Sequence, residues 1–408
     1  MQKFTGKQYL QIDLANNFGL DKKTWDERLS WFAENQHNIN ALLSQADEPA
    51  LFFAGLKAWD SFLRKEPSGY MISLDATSSG LQILACLTGD RAAAQLCNVV
   101  DFSEDAVTQR RDGYTVIYEA MVENLKSIGV YAGGIERDDC KQAIMTALYG
   151  SEAMPKQVFG EGVQLRVFYQ TMKQFAPGAW DLNDFFRHGC WNPEAYSNDW
   201  VLPDNFHVHV KVMDTIKEVV QFHNKPYDTF YRVNQPMEEG RSIGANVTHS
   251  LDGMIVREMV RRCSYDMDQV IKVINAIDDP ELDTESGPNA EMVIKLWDHY
   301  EKSGFLSVRI LDYLDRDTVH YVNTDVIMDL IHTLPNKPFE VIAVHDCFRC
   351  LPNYGNDLRQ QYNQILSDIA RSNMLSFILT QLLGVPTKIG KLDSDMWKDV
   401  LHAEYALS

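Results

Sequence analysis

The 408 residues hold 45% apolar and 23% charged side chains, the mix of a globular chain long enough for one large domain or two to three packed subdomains. No apolar run nears the roughly 20 residues that span a bilayer, Met1 to Thr5 lacks an apolar signal core, and seven scattered cysteines read as reduced cytosolic thiols rather than a disulfide framework. A net charge of −19 argues against general affinity for phosphate backbones. A nucleic-acid role would therefore need cations gathered locally or supplied by a second chain.

In chain order, the first fifty residues read as helix. An amphipathic stretch starts at Asp26 to Ala33, and Phe52 to Leu63 continues it with Leu56, Trp59, Phe62 and Leu63. Pro67-Ser68-Gly69 breaks the pattern. Tyr70 to Leu74 reads as a short buried strand that ends at Asp75, and a helix begins at Gly80. Asp105 to Leu148 reads as mostly helical, interrupted near Gly129 to Gly134. Pro177 to Phe206, rich in aromatics, Asn, Asp and Pro, reads as loop. His207 to Val212 alternates as a strand, and Met254 to Ile277 is helical. Asp278 to Asn289 is a surface loop by composition, and a further helical block runs to about Leu334. Phe339 to Val344 is a strand, and residues 357 to 383 make one long final helix. Strands are few, so the fold class is α+β with helices dominant.

Two acids stand out. Asp75 closes an apolar strand, where the sheet would position it. Asp346 sits between Val341-Ile342-Ala343-Val344 and Cys347-Phe348-Arg349-Cys350, two short runs that predict a β-hairpin with the acid at its turn. Two carboxylates brought together from distant sequence can hold paired hard cations for phosphoryl displacement. Either alone reads as well as a helix cap or turn residue. A third element is the helix Arg137-Asp138-Asp139-Cys140-Lys141 to Tyr149-Gly150-Ser151. Arg137, Lys141, Met145 and Tyr149 fall four apart and form one slanted stripe. Ala143, Ile144, Ala147 and Leu148 lie off it and can pack inward, and Gly150 can close the helix. Two cations suit a triphosphate, and the thioether and phenol suit a base and sugar.

Together these segments resemble the single-subunit phage and mitochondrial RNA polymerases. Asp75-Ala76-Thr77-Ser78-Ser79-Gly80-Leu81-Gln82 is similar to their motif A. Arg137-x₃-Lys141-x₇-Tyr149-Gly150-Ser151 is similar to motif B, and His345-Asp346-Cys347-Phe348 to motif C, in the same order. Ala245 to Gly253, with His249-Ser250-Leu251-Asp252-Gly253, resembles the segment whose His contacts the ribose side. Gly19-Leu20-Asp21-Lys22 resembles a segment with a phosphate-contacting Lys, and Lys391 to Ser408 resembles the aromatic C-terminal foot.

The resemblance implies a right-hand polymerase: palm in 1–105, helical fingers in 106–249, and a second palm part in 250–408 with an insertion at about 265–335. It implies two Mg²⁺ ions on Asp75 and Asp346 with help from the Ala76 carbonyl. Arg137, Lys141 and, more weakly, Lys22 would hold the triphosphate. Tyr149 and His249 would sense the 2′-hydroxyl, and Tyr114 resembles a base-contacting fingers Tyr. DNA template, RNA product and nucleoside triphosphates are the implied ligands, with no membrane role. Only 74 residues precede Asp75, without the family's Asp-x-x-Gly-Arg element. The thumb and N-terminal domain are therefore expected from a second polypeptide, a heterodimer most like the two-chain RNA polymerases of enquatrovirus-type podoviruses, acting in the cytoplasm of the infected bacterium.

Departures remain. The 99 residues between Tyr149 and His249 are fewer than in promoter-reading relatives, so no long promoter-reading loop is expected. Met154 stands where relatives carry an aromatic. Cys347 replaces a Ser, and without a second Cys pair Cys347-x₂-Cys350 is not expected to bind zinc. A DNA polymerase of the same superfamily shares the Arg-x₃-Lys-x₇-Tyr-Gly spacing but usually has Gln-Ile-Glu after the first acid and Glu after the second. A non-catalytic scaffold of polymerase shape is the remaining alternative.

Overall fold

The computed structural model describes residues 1–101, 110–131, 133–238, 240, 242–279 and 287–408. No described helix is long and apolar enough to cross a membrane. Helix α1 (Gly6–Ala15), α2 (Trp25–Asn35) and α3 (Pro49–Leu63) precede strand β1 (Ile72–Asp75). After β1 come α4 (Ser79–Thr88), α5 (Arg91–Leu96), α6 (Gly113–Ser127), α7 (Arg137–Leu148), α8 (Ala153–Phe159), α9 (Val163–Phe175) and α10 (Pro177–His188). The helix-dominated α+β expectation holds. The start of the expected helical stretch, residues 105–109, and most of the Asp278 to Asn289 loop lie outside the described residues.

The central sheet is built from β1, β6 (Ile342–Val344) and β7 (Cys347–Cys350), in the antiparallel order β1-β7-β6. Its alternation is simple. Ile72, Leu74, Phe348 and Cys350 point into the main core, and Ser73, Asp75, Cys347 and Arg349 share the other face. β6 and β7 form the expected hairpin, with His345 at φ 56° in its two-residue turn beside Asp346. A fully buried carboxyl, Asp13 on α1, fixes the strand from beside it. It accepts from Ser73 N (2.8 Å), Tyr70 Oη (2.7 Å) and Asn17 Nδ2 (3.1 Å).

Burial pushes the Asp13 carboxyl up to about 6 despite these donors. Its protonated form is thus favoured in the fold, and folding takes up a proton between the ordinary carboxylate range and pH 6. Stability from this group is present at low pH and is lost as pH rises through about 6, a swing of about 3 kcal/mol. The expected outcome is that, on going from pH 7 to pH 4, wild type gains about 2 kcal/mol relative to Asp13→Asn in urea melts. Parallel curves at both pH values would refute it.

Several expectations need correction. Pro177 to Phe206 is not loop: α10 occupies Pro177–His188 and β2 spans Ser197–Val201. Pro177 takes the first helical position, where its missing N–H costs nothing, and Ala179, Leu182 and Phe186 form the buried stripe. β2 pairs with β3 (His207–Lys211). The interval between Tyr149 and His249 does hold a long projecting element. It is a hairpin of β4 (Met213–Phe222) and β5 (Lys225–Asn234), exposed on both faces, with His223 and Asn224 both at positive φ in its turn.

The expected helix from Met254 to Ile277 is two, α11 (Ser242–Cys263) and α12 (Met267–Asp278), because Asp266 caps a new start. The block to Leu334 holds α13 (Ala290–Ser303) and α14 (Thr324–His332) with 3₁₀ turns between them. The strand expected from Phe339 begins only at Ile342. The expected final helix is α15 (Gly355–Arg371) and α16 (Met374–Leu383), broken where the Ser372 hydroxyl turns back to accept from Met374 N. A short α17 (Met396–Val400) follows.

Residues 264–335 carry their own core. Val270, Val273, Val293, Leu296, Ile310, Leu314 and Ile327 pack together, apart from the main cluster around the sheet. The chain leaves at Cys263 and returns at Phe339, whose N–H donates to Cys263 O (2.7 Å). This segment contains 15 Asp and Glu against 5 Lys and Arg, so −10 of the −19 resides there. Buried Glu258 ties it to α11, accepting from Val308 N (3.1 Å) and the Ser307 hydroxyl.

Candidate active site

Asp75 and Asp346 come together because the sheet pairs their strands. Asp75 is opposite Cys347, and Ala76 N donates to Asp346 O at 3.1 Å. Asp75 does not cap a helix; Ser78 holds the cap position of α4. The backbone of the last residues lies along the same edge. Ser408 N donates to Asp75 O (2.9 Å), Asp75 N to Ser408 O (3.3 Å), and Thr77 N to Ala406 O (3.2 Å). Gln82 braces this edge from inside, donating to Ala406 O (2.9 Å), Thr77 Oγ1 (3.0 Å) and Cys97 O, while Tyr362 Oη donates to Gln82 Oε1 (2.6 Å).

Burial raises the Asp75 carboxyl; the Cys347 thiol hydrogen bond lowers it, and nearby Asp346 raises it further. Asp252, one turn beyond His249 on α11, is raised by burial and by Asp346. Asp346 is thus within electrostatic reach of both Asp75 and Asp252. Among the described residues no set of three or more His, Cys, Asp or Glu is gathered to hold a metal. The Asp75 and Asp346 carboxylates with the Ala76 carbonyl are an all-oxygen donor set, which fits a hard cation that completes its shell with phosphates and water.

A cleft of about 190 Å³ opens beside Asp75. Its walls include Lys22, Ala76, Tyr114, Arg137 and Lys141, so four separate segments converge there. Five cations (Lys22, Arg110, Arg111, Arg137, Lys141) face three acids (Asp21, Asp75, Asp112) in this cleft. The local balance is the reverse of the chain's. On α7 the inward residues Cys140, Ala143, Ile144, Ala147 and Leu148 are buried, as the stripe requires, and Gly150 at φ 83° ends the helix.

Arg137 reaches sideways. It donates to Thr115 Oγ1 (2.7 Å) and pairs with Asp112 and Asp138 (3.1 Å), locking α7 to the start of α6. Burial pushes Asp112 up, but the Thr115 hydroxyl and Arg137 outweigh it and hold the carboxyl low. The Lys141 ammonium lies 5.4 Å from the Tyr114 ring centre, and Tyr114 Oη is 3.2 Å from Ser78 Oγ.

Tyr149 and His249 meet at the rim, ring centres 4.8 Å apart. Tyr149 Oη reaches over α4 so closely that a Cβ at Gly80 would lie 2.5 Å from it, so any larger residue there would push the phenol aside. Burial, helped by Asp252 and Tyr114, pushes the Tyr149 phenol up to about 12, so it stays protonated and can donate at neutral pH.

The structure therefore brings Lys22, Asp75, Ala76, Tyr114, Arg137 and Lys141 to one cleft, with Asp346, Tyr149 and His249 around it. Sequence reasoning missed Arg110, Asp112, Gly80 and Asp252. The Arg110-Arg111 pair just before Tyr114 was a readable signal, and Asp252 lay inside the His249 segment.

Residues 3–183 match the family model described as DNA-dependent RNA polymerase. The chain is 34% identical over 164 residues to a probable DNA-directed RNA polymerase of Neurospora crassa, covering 36% of this chain and 18% of that protein. It is 29% identical over 169 residues to a mitochondrial DNA-directed RNA polymerase of the same organism, 36% of this chain and 12% of the relative. It is 28% identical over 111 residues to the DNA-directed RNA polymerase of Pseudomonas phage phiKMV, 23% and 14% respectively. These matches span less than a fifth of each relative's length. The matched region contains Lys22, Asp75, Ala76, Tyr114, Arg137, Lys141 and Tyr149, and it ends before His249 and Asp346. Over its first 183 residues, then, this chain is similar to DNA-dependent RNA polymerases of the mitochondrial and phage kind.

Proposed function

We propose that this chain is the catalytic part of a DNA-directed RNA polymerase, joining ribonucleoside triphosphates to an RNA 3′ end on a DNA template and releasing pyrophosphate. The observation that carries this reading is the convergence of Asp75, Lys141, Arg137 and Tyr114 on one cleft, with Asp346 bonded to Ala76 at its edge. In this reading 1–105 and 250–408 form the palm and 106–249 the fingers. Asp75, Asp346 and the Ala76 carbonyl would hold two Mg²⁺ ions, which supply charge stabilisation to the attacking and leaving oxygens. Lys141, with Lys22 and Arg137, attracts and orients the triphosphate. Tyr114 sits under the Lys141 ammonium and offers its ring to the base. Tyr149 and His249 present a donor and a ring nitrogen where a 2′-hydroxyl, itself donor and acceptor, would be read.

The partner in this reading is a second polypeptide that supplies the thumb and N-terminal domain, in a phage-encoded heterodimer working in the infected bacterium's cytoplasm. No described residue of the acidic 264–335 segment lines the cleft, so the charge of those residues is not at the cleft walls.

Primer extension with Mg²⁺, by the chain alone and with its natively co-purified partner, tests the reading. Template-dependent incorporation of ribonucleotides is expected, and exclusive use of deoxynucleotides would replace it with a DNA polymerase. Tyr149→Phe removes one matched donor, worth roughly 1.4 kcal/mol, so ribose preference is expected to fall about tenfold. An unchanged ratio of kcat/KM for ribo- and deoxynucleotides would place ribose selection elsewhere.

A further inference from the structure

We propose that Arg110 is a phosphate-binding side chain of the cleft, taking the terminal phosphates of the bound nucleotide and then pyrophosphate. It rests on the polymerase reading only for the identity of the nucleotide's reaction. Arg110 lines the cleft together with Lys22, Lys141 and Asp75. Its commitments are few: Nε donates to Ser408 Oγ at 3.2 Å, and it forms no ion pair among the described residues. The contrast with Arg137 is sharp, since Arg137 spends its donors on Asp112, Asp138 and Thr115.

Asp21, Asp112 and Asp75 lie near enough to act on the Arg110 charge, but none forms an ion pair with it among the described residues. Asp112 is neutralised by Arg137, and Asp75 accepts from the Cys347 thiol beside Asp346. A half-buried guanidinium that pairs directly with no carboxylate is costly to withdraw from water. Its planar fork matches two oxygens of a phosphate.

An independent observation concerns the residue behind it. Arg28 is fully buried, lies near enough to Arg110 for the two charges to repel, and keeps its Nη1 without a hydrogen-bond partner. Its other nitrogens clamp the turn that presents Lys22: Nε donates to Lys23 O (3.0 Å) and Nη2 to Asp21 O (2.6 Å). The guanidinium rests 4.5 Å from the Trp25 ring centre. Arg110 in the cleft wall and Arg28 buried behind it form no ion pair among the described residues, and Asp21 acts on the charge of both. An anion with several oxygens answers Arg110 directly, and a phosphate tail beside Lys22 and Lys141 has that chemistry.

The test is equilibrium binding of ATP, AMP and pyrophosphate to the full chain with Mg²⁺. Arg110→Gln is expected to weaken ATP and pyrophosphate about tenfold or more while AMP changes by under about twofold, and Arg110→Lys to recover part of the loss. Equal loss for ATP and AMP, or unchanged ATP affinity, overturns the proposal. So does a loss that merely tracks a lowered melting temperature. ATP loss in the variant, with no template-directed synthesis by wild type and its partner, would keep the Arg110 assignment and remove the polymerase reading. Active wild type with unchanged ATP affinity in Arg110→Gln would do the reverse.

Discussion

Asp75→Asn and Asp346→Asn are each expected to cut nucleotide incorporation by at least about a thousandfold, the cost of several kcal/mol of lost transition-state charge stabilisation. The amide keeps the shape and one acceptor but loses the negative charge. Stability is expected to hold or rise. Burial and the neighbouring Asp346 both disfavour a charged Asp75 in the fold, so its neutral replacement relieves repulsion at pH 7. Loss of activity with retained stability separates a chemical role from a scaffolding one. Primer extension at saturating Mg²⁺, paired with urea melts, reads both quantities. Incorporation within tenfold of wild type in either variant would remove the two-carboxylate assignment.

The largest stability effect is expected at a second buried site, Arg359 on α15. Its guanidinium is buried and donates to Glu404 Oε1 (2.7 Å), Glu404 O (2.8 Å), Gln2 O (2.9 Å) and Tyr9 Oη (3.2 Å). It also lies over the rings of Trp25 (4.7 Å) and Phe4 (5.7 Å). Arg359→Met leaves Glu404 buried with its strongest partner gone. Breaking one side of such a pair costs about 3–5 kcal/mol, because the remaining charge is uncompensated. The double variant Arg359→Met with Glu404→Gln should recover most of that. Denaturation midpoints check the cycle; a single-variant cost below about 1 kcal/mol would show that water reaches Glu404. The effect carries into the site, since residues 406–408 pair with the Asp75–Thr77 backbone.

The parts of the site that the sequence made legible share a cause. Asp75 ends an alternating strand, Asp346 sits in the turn between two short apolar runs, and the Arg137 to Tyr149 stripe follows from helical spacing alone. Local pattern suffices for these. Arg110 was hidden because its isolation depends on Arg137 taking Asp112, an arrangement of two helices that no window of sequence contains. Asp13 was hidden likewise, since only the approach of α1 to β1 makes it an acceptor for Ser73. The exposed hairpin was missed because both faces of β4 and β5 meet water, so the polar-apolar alternation that marks a half-buried strand is blurred. Its His223-Asn224 turn also lacks the usual Asn-Gly signature. The α10 error came from weighing Pro, Asn and Asp as loop formers when Pro177 sits at the one helical position that suits it.

The segment between Cys263 and Phe339 adds one more consequence. It closes on itself through the Cys263–Phe339 hydrogen bond and has its own apolar cluster, so it meets the requirements of a separate cooperative unit. Its coupling to the rest runs through polar contacts, Glu258 to Ser307 and Arg309 to Asp204 O among them, and through Phe305, which is buried in the main core, and the His299–Phe377 ring contact. A junction of this kind couples two cores less tightly than one continuous core would. Heating this chain would then not be one all-or-none event. A single midpoint would describe neither the acidic segment nor the part that carries the carboxylates.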